Sequence, residues 1–216
     1  MSGALQVVYQ NLRSFLEPPP TVIGQAYGGG FYAGQIGVSS VATHYLVVAP
    51  ASSGENTLAY KNVNNAVSGA ASVIDGPQNT ADMVADGSST VYPCAHFCND
   101  LSTGGQTDWY MPAKNEIEVC YFNLKPTTQS NVTNSGINPN AVPARASNYT
   151  TSNPARTSVA AFQEGGAQAF TTSPQYWSST KRGTDYAYFI SFYHGLSSYS
   201  SKTGDRKVRA VRRVAV

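Results

Sequence analysis

The sequence predicts an α+β domain in which two helices pack on a mainly antiparallel sheet that carries long loop insertions. Two short stretches repeat apolar residues at helical spacing, each opened by a proline. Runs of aromatic and β-branched residues with strand character stand near both ends of the chain, ahead of and behind those helices. A long tract of Thr, Ser, Asn, Pro and Ala with little periodicity separates the second helix from the closing strands.

The chain has 216 residues, enough for one large domain with its own core. Charged residues make up only 12%, and the net charge of +2 is too small to imply a nucleic-acid partner. The cations are uneven, because Lys202, Arg206, Lys207, Arg209, Arg212 and Arg213 crowd the end of the chain against Asp205. They form either a basic patch or a set of internal partners for carboxylates and carbonyls, and the second reading is favoured. Cys94, Cys98 and Cys120 suggest no disulfide framework and read as small buried groups.

Residues 4–16 place Leu5, Val8, Leu12, Phe15 and Leu16 on one helical stripe, which Pro18-Pro19-Pro20 stops. With the proline run this makes 1–23 an N-terminal helix and attachment segment, and 24–216 the domain proper. The stripe either docks on its own domain or acts as an oligomerisation handle. No secretory signal and no membrane-spanning run is expected, so the chain is expected to be made in a cytoplasm.

Residues 22–49 read as a hairpin. Gly28-Gly29-Gly30 allows close backbone approach or a bulge ahead of a strand over Phe31–Ile36, and Thr43–Ala49 is the return. Residues 50–91 are mostly loop, with a short helix over Asn79–Ala85. Tyr92-Pro93 opens a helix bearing Cys94, Phe97, Cys98 and Leu101 on one face. Met111-Pro112 opens another bearing Ile117, Cys120, Tyr121 and Leu124, with Glu116 and Glu118 near its positive end. His96 points away from the Cys94–Cys98 pair on a helix, so no zinc site is expected, and no cluster for a hard cation is visible. The 125–175 tract far exceeds ordinary connections of about 4–6 residues. Ser158–Phe162 and Ala167–Phe170 are its candidate anchors.

The chain closes with a non-regular entry at Tyr176–Thr180, in which Trp177 is an apolar anchor, and three strands separated by turns at His194-Gly195 and Thr203-Gly204-Asp205. Tyr186–Tyr193 carries large side chains on both faces and is expected to be covered on both.

Five segments then carry a family resemblance. GGGFY (28–32), HYLVVAP (44–50), DWYMPAKNEI (108–117), YWSST (176–180) and VRAVRRV (208–214) occur in an order that resembles the C-terminal domain of bacterial collagen-like adhesins, found in bacteria and tailed bacteriophages. It covers about residues 24–214. The resemblance implies a C-type-lectin-like fold whose first and last strands pair, with YWSST as its anchor. It also implies adhesion. The Glu-Pro-Asn and Trp-Asn-Asp motifs of calcium-dependent lectins do not occur, so no calcium and no defined sugar site is carried over.

The functional expectation is a non-enzymatic virion protein of a tailed bacteriophage, a tail-fibre or receptor-binding module recognising the host surface. Other virion proteins would hold its N-terminal segment in a homo-oligomer, and a cell-surface glycan or protein would be the ligand. The alternative is a purely structural tail, baseplate or capsid-decorating protein. An enzyme would need a nucleophile–base pair, paired carboxylates or a metal cluster, and no such motif is evident. No cofactor, nucleic acid or membrane insertion is expected. The Tyr/Ser-rich turn region supplies the candidate binding residues Tyr193, His194, Tyr199 and Lys202, with Arg182 and Asp185 in the adjacent loop. Tyr193 and Tyr199 could equally cap the core.

Overall fold

The computed structural model describes residues 17–216. The helix expected over 4–16 lies outside them. The described chain is α+β, with helices packed on two mostly antiparallel sheets.

The first sheet holds β1 (Ala26–Tyr27), β2 (Gly30–Val38), β3 (Val41–Val48) and β9 (Val211–Ala215), in that order. The hairpin forms as expected. Its glycines permit a close approach: Gly29 and Gly104 both have positive φ, and a Cβ on Gly104 would stand 1.9 Å from the Gly29 carbonyl oxygen.

A short α1 (Ala51–Gly54) leads into the second sheet, which runs β4 (Glu55–Ala59), β8 (Asp205–Arg209), β5 (Tyr176–Arg182), β6 (Tyr186–Ile190) and β7 (Ser197–Ser201). Only the single β5–β8 pairing is parallel. Three longer helices follow β4: α2 (Gly76–Asp86), α3 (Pro93–Asn99) and α4 (Lys114–Leu124). Among the described residues there are four α-helices: α3 and α4 are the two expected to cover the sheet, α2 was read as a short helix, and α1 was not expected. α2 extends the short helix read over Asn79–Ala85, because Asp75 caps it by accepting from the Gln78 N–H and Pro77 suits its first turn.

The closing segment differs from expectation in three ways. YWSST is strand β5, not an irregular entry: it pairs with β6 and absorbs the irregularity as a register shift between Trp177 and Lys181. The final run is two strands. Ala210 is fully buried, donates to Gly54 and accepts from Ala49, and there the chain passes from the second sheet to the first. Finally, β9 pairs with the return strand β3, Tyr45 against Val214, and not with the glycine-rich strand. From β9, Arg212 reaches the glycine run by a side chain, its Nη1 donating to the Gly28 carbonyl at 2.9 Å.

Two apolar clusters fill the fold. One gathers Trp177, Tyr60, Tyr92, Met83 and Trp109 beneath α2 and α3. Trp177 is fully buried, with Tyr60 edge-on at 6.0 Å and the Arg206 guanidinium 4.7 Å from its ring. The other gathers Tyr121, Tyr149, Phe162, Phe170 and Phe192, with Phe170 stacked on Phe192 at 3.9 Å. Phe162 and Phe170 are the anchors expected for the 125–175 tract. Its backbone is further held by buried amides: Asn131 donates to the Pro154 carbonyl at 2.9 Å, and Asn138 to the Asn115 carbonyl at 2.8 Å. Cys94, Cys98 and Cys120 are free and buried.

β6 is not covered on both faces. Ala187 and Phe189 face the core, whereas Tyr186 is exposed and Tyr188 half-buried on the other side. The reason is position: β6 lies one strand from the end of its sheet, and neither the helices nor the 125–175 tract covers its outer face completely. Among the described residues no helix is long and apolar enough to cross a membrane.

Candidate binding cleft

The partners of the cationic end of the chain decide which charges remain free. Arg213 pairs with Glu116 at 2.8 Å, and Arg212 with Asp108 at 2.7 Å. The fully buried Arg209 and its neighbour Lys207 converge on Glu55 at 3.4 and 3.0 Å. These charges hold β8 and β9 to the rest of the fold. Glu116 also accepts from the Ala113 N–H at 2.7 Å and from Tyr110 Oη at 2.6 Å. It therefore caps α4 and locks β9 to it, more than the dipole role its position suggests.

A polar recess lies over the outer face of β6 and β7. It encloses about 390 Å³ between that face, the end of β5, the start of α4 and the loop 134–137. Lys114 is the first residue of α4. Its backbone N–H donates to Thr180 Oγ1 at 2.9 Å, which ties the helix start to β5 and sets Lys114 near Arg182. The Lys114 ammonium stands 5.1 Å from the Tyr188 ring centre, and the Arg182 guanidinium lies 3.5 Å over the Tyr199 ring. Tyr188 and Tyr199 are directly opposite across the β6–β7 ladder, and Tyr186 meets Tyr199 edge-on at 5.6 Å. Among the described residues no carboxylate lies within ion-pair distance of Arg182 or Lys114.

Glu118 stands one turn along α4 and forms the floor. Burial pushes its carboxyl above the usual range, while Arg145, Tyr149 and Asn138 pull it back. Tyr149 Oη donates to it at 2.5 Å, and burial raises the Tyr149 phenol so that it stays protonated. Glu118 is thus engaged from within and does not cancel the cations above it. The 134–137 wall is fixed by Gly136, whose positive φ and missing Cβ let it lie against the Tyr149 ring, 2.4 Å from where a Cβ would be. Ser135 Oγ accepts from the Ser197 N–H at 3.1 Å and joins this wall to β7.

Of the six residues singled out in the sequence, the cleft brings together Arg182 and Tyr199. Asp185 is exposed in the β5–β6 turn, outside the lining, and its carbonyl accepts from the Lys202 N–H. Tyr193 is exposed at the far end of β6, and His194 beside it is half-buried. Their carbonyls accept from Thr127 Oγ1 and the Val132 N–H, so this turn is tied to the 125–175 tract. Lys202 is a correction. It is fully buried, and its ammonium donates to the Asn65 and Thr184 carbonyls, because the 201–204 turn folds inward against the loop after β4.

Sequence reasoning missed Lys114, Tyr188, Asn134 and Asn148 as lining residues. The signal for Tyr188 was its place opposite Tyr199 in a two-residue period. Nothing local marks Lys114, which a contact 66 residues away brings to the cleft. His96 Nε2 is within hydrogen-bond distance of the Gly87 carbonyl at 2.8 Å, away from the two cysteines. Among the described residues no group of three or more metal-ligating side chains comes together.

A family model described as the Lcl C-terminal domain matches residues 68–212, more than half of the chain. The matched span contains the whole cleft lining, the helices α2, α3 and α4 and the strands β5 to β8. No curated protein matches the sequence.

Proposed function

The chain belongs to the Lcl C-terminal domain family, and on that premise we propose that it is a non-enzymatic, adhesin-like binding module of a tailed-bacteriophage virion. In this reading the α+β fold is a C-type-lectin-like domain that presents the cleft over β6 and β7 to the host surface. The 1–23 segment joins it to other virion proteins in a homo-oligomer. The chain is made in the host cytoplasm and carries no cofactor.

The single observation that supports this reading is the pair of cations resting on tyrosine faces with no carboxylate partner among the described residues. Elsewhere on the chain Arg209, Arg212 and Arg213 are matched by acids, and Arg206 lies against the buried Trp177 ring. A cation held rigidly over an aromatic ring, next to serine and asparagine side chains, offers charge, flat apolar surface and hydrogen bonds at low entropy cost. Such a surface recognises a partner; it has no nucleophile–base pair with which to transform one.

Binding of the isolated protein to host cells tests this. The wild type is expected to bind, and an Arg182→Ser/Tyr199→Ala double variant to lose that binding while keeping the fold. Incorporation of the wild type into particles without any cell binding would instead support the purely structural alternative.

A further inference from the structure

The strand that borders the cleft has a free edge. β7 ends its sheet, so among the described residues one of its sides has no strand beside it. The two ends of the β6–β7 ladder fix its phase: the Ser191 N–H donates to the Leu196 carbonyl at 2.9 Å, and the Lys202 N–H to the Asp185 carbonyl at 3.2 Å. Antiparallel pairs alternate. Leu196, Ser198, Ser200 and Lys202 therefore direct their main chain at β6, and Ser197, Tyr199 and Ser201 direct theirs outward. Two of those outward groups are already engaged. Ser135 Oγ takes the Ser197 N–H, and the Gly204 N–H approaches the Ser201 carbonyl at 3.5 Å. The Ser197 carbonyl, both main-chain groups of Tyr199 and the Ser201 N–H remain.

Sheet edges are ordinarily blunted by proline, lysine, a bulge or an inward charge. β7 reads SSYSS and pairs with β6 without a register shift, so it has none of these. The outward groups stand beside the Tyr199 ring, over which the Arg182 guanidinium lies at 3.5 Å.

We propose that the ligand of this cleft is an extended polypeptide segment bearing carboxylates, which adds to the free edge of β7 as a further strand. One ligand residue exchanges both main-chain hydrogen bonds with Tyr199. Its neighbours meet the Ser197 carbonyl and the Ser201 N–H. The side chain opposite Tyr199 falls on the outer face, where a carboxylate reaches Arg182, and Lys114 lies one strand further in. The inference rests on the cleft being the binding site, as proposed above.

The test uses the full chain and a defined probe, the peptide Ac-TETETET-NH2, followed by amide NMR. Shifts are expected at Tyr199 and Ser201, with slowed exchange of both amides. The same peptide N-methylated on alternate residues should bind at least tenfold more weakly, as should one with lysine for glutamate. Equal binding by the N-methylated peptide, or no response of β7 to the acidic peptide at millimolar concentration, overturns the proposal. In cell binding, Ser201→Pro removes one outward N–H and leaves the β6 ladder and the Tyr199 ring in place, with Ser201→Ala as its control. Binding that survives Ser201→Pro but not Tyr199→Ala rejects strand addition and leaves the cleft as the binding site. Binding indifferent to Tyr199→Ala rejects the cleft itself.

Discussion

The closing side of the molecule and the outer face of β6–β7 use the same residue types to opposite ends. On the closing side Arg209, Arg212 and Arg213 each meet a carboxylate, and Glu116 sits at zero exposure under a cap, a phenol and a guanidinium. On the outer face Arg182 and Lys114 rest on Tyr199 and Tyr188. Sequence proximity does not separate these groups; partners do. A cation matched by an acid, or stacked on a buried ring as Arg206 is on Trp177, holds the fold together, and one resting on a ring in the open cleft keeps its charge for something else.

The largest effect should come from breaking the closing side. Glu116→Ala leaves Arg213 Nε and the Ala113 N–H without their acceptor inside the fold. Removing one partner of a buried pair costs about 3–5 kcal/mol, so the urea midpoint should fall steeply. A loss under about 1 kcal/mol would place Glu116 among ordinary surface charges.

The outer face should respond in the other currency. Tyr199→Ala should weaken host-cell binding at least tenfold, about 1.4 kcal/mol, while stability stays within about 0.5 kcal/mol of wild type, as for surface changes away from structural features. Matching losses of binding and of stability would erase the distinction between the two regions.

Lys202 belongs to neither class and sharpens the comparison through pH. Its ammonium meets carbonyls only, and burial, with repulsion from Lys61 and Lys181, lowers it from 10.5 to about 8. Because the folded value lies below the unfolded one, the unfolded chain holds more protons between these values. Stability from this group therefore rises with pH across that window and is lost as the pH falls through about 8. Lys202→Met should remove this slope, so the melting-temperature difference between wild type and variant should move in favour of wild type from neutral to alkaline pH. A difference constant with pH would contradict the burial.

The smallest effect belongs to the pair at the rim of the closing side. Asp108 is half-exposed, and its hydrogen bonds to Arg212 hold its carboxyl below the usual range. Asp108→Asn should cost under about 1 kcal/mol near neutral pH and less at high salt. A larger, salt-independent loss would move Arg212 into the class of Arg209.

Much of the fold was legible in the sequence. Helical stripes marked α3 and α4, the Gly28–Gly30 run marked the close approach to Gly104, and Trp177, Phe162 and Phe170 were identifiable as anchors. Internal pairing of several closing arginines was the favoured reading too, and Arg209, Arg212 and Arg213 bear it out. What sequence did not carry was sheet membership. Periodicity says that Val208–Val214 is extended but not that Ala210 divides it between two sheets, since pairing partners lie more than 150 residues away. The same limit governs the cleft. Tyr199 and Arg182 stood out by type and neighbourhood, whereas Lys114 enters it through Thr180, and Lys202 leaves the surface because its turn folds inward.

Hydrogen exchange of the whole chain, with and without solubilised host envelope, tests the division between the two regions most directly. Protection is expected in residues 134–137 and 182–201 and at the start of α4, with no change in β3, β8 or β9. Protection confined to β9 and its arginines, with the β6–β7 face unaffected, would contradict it.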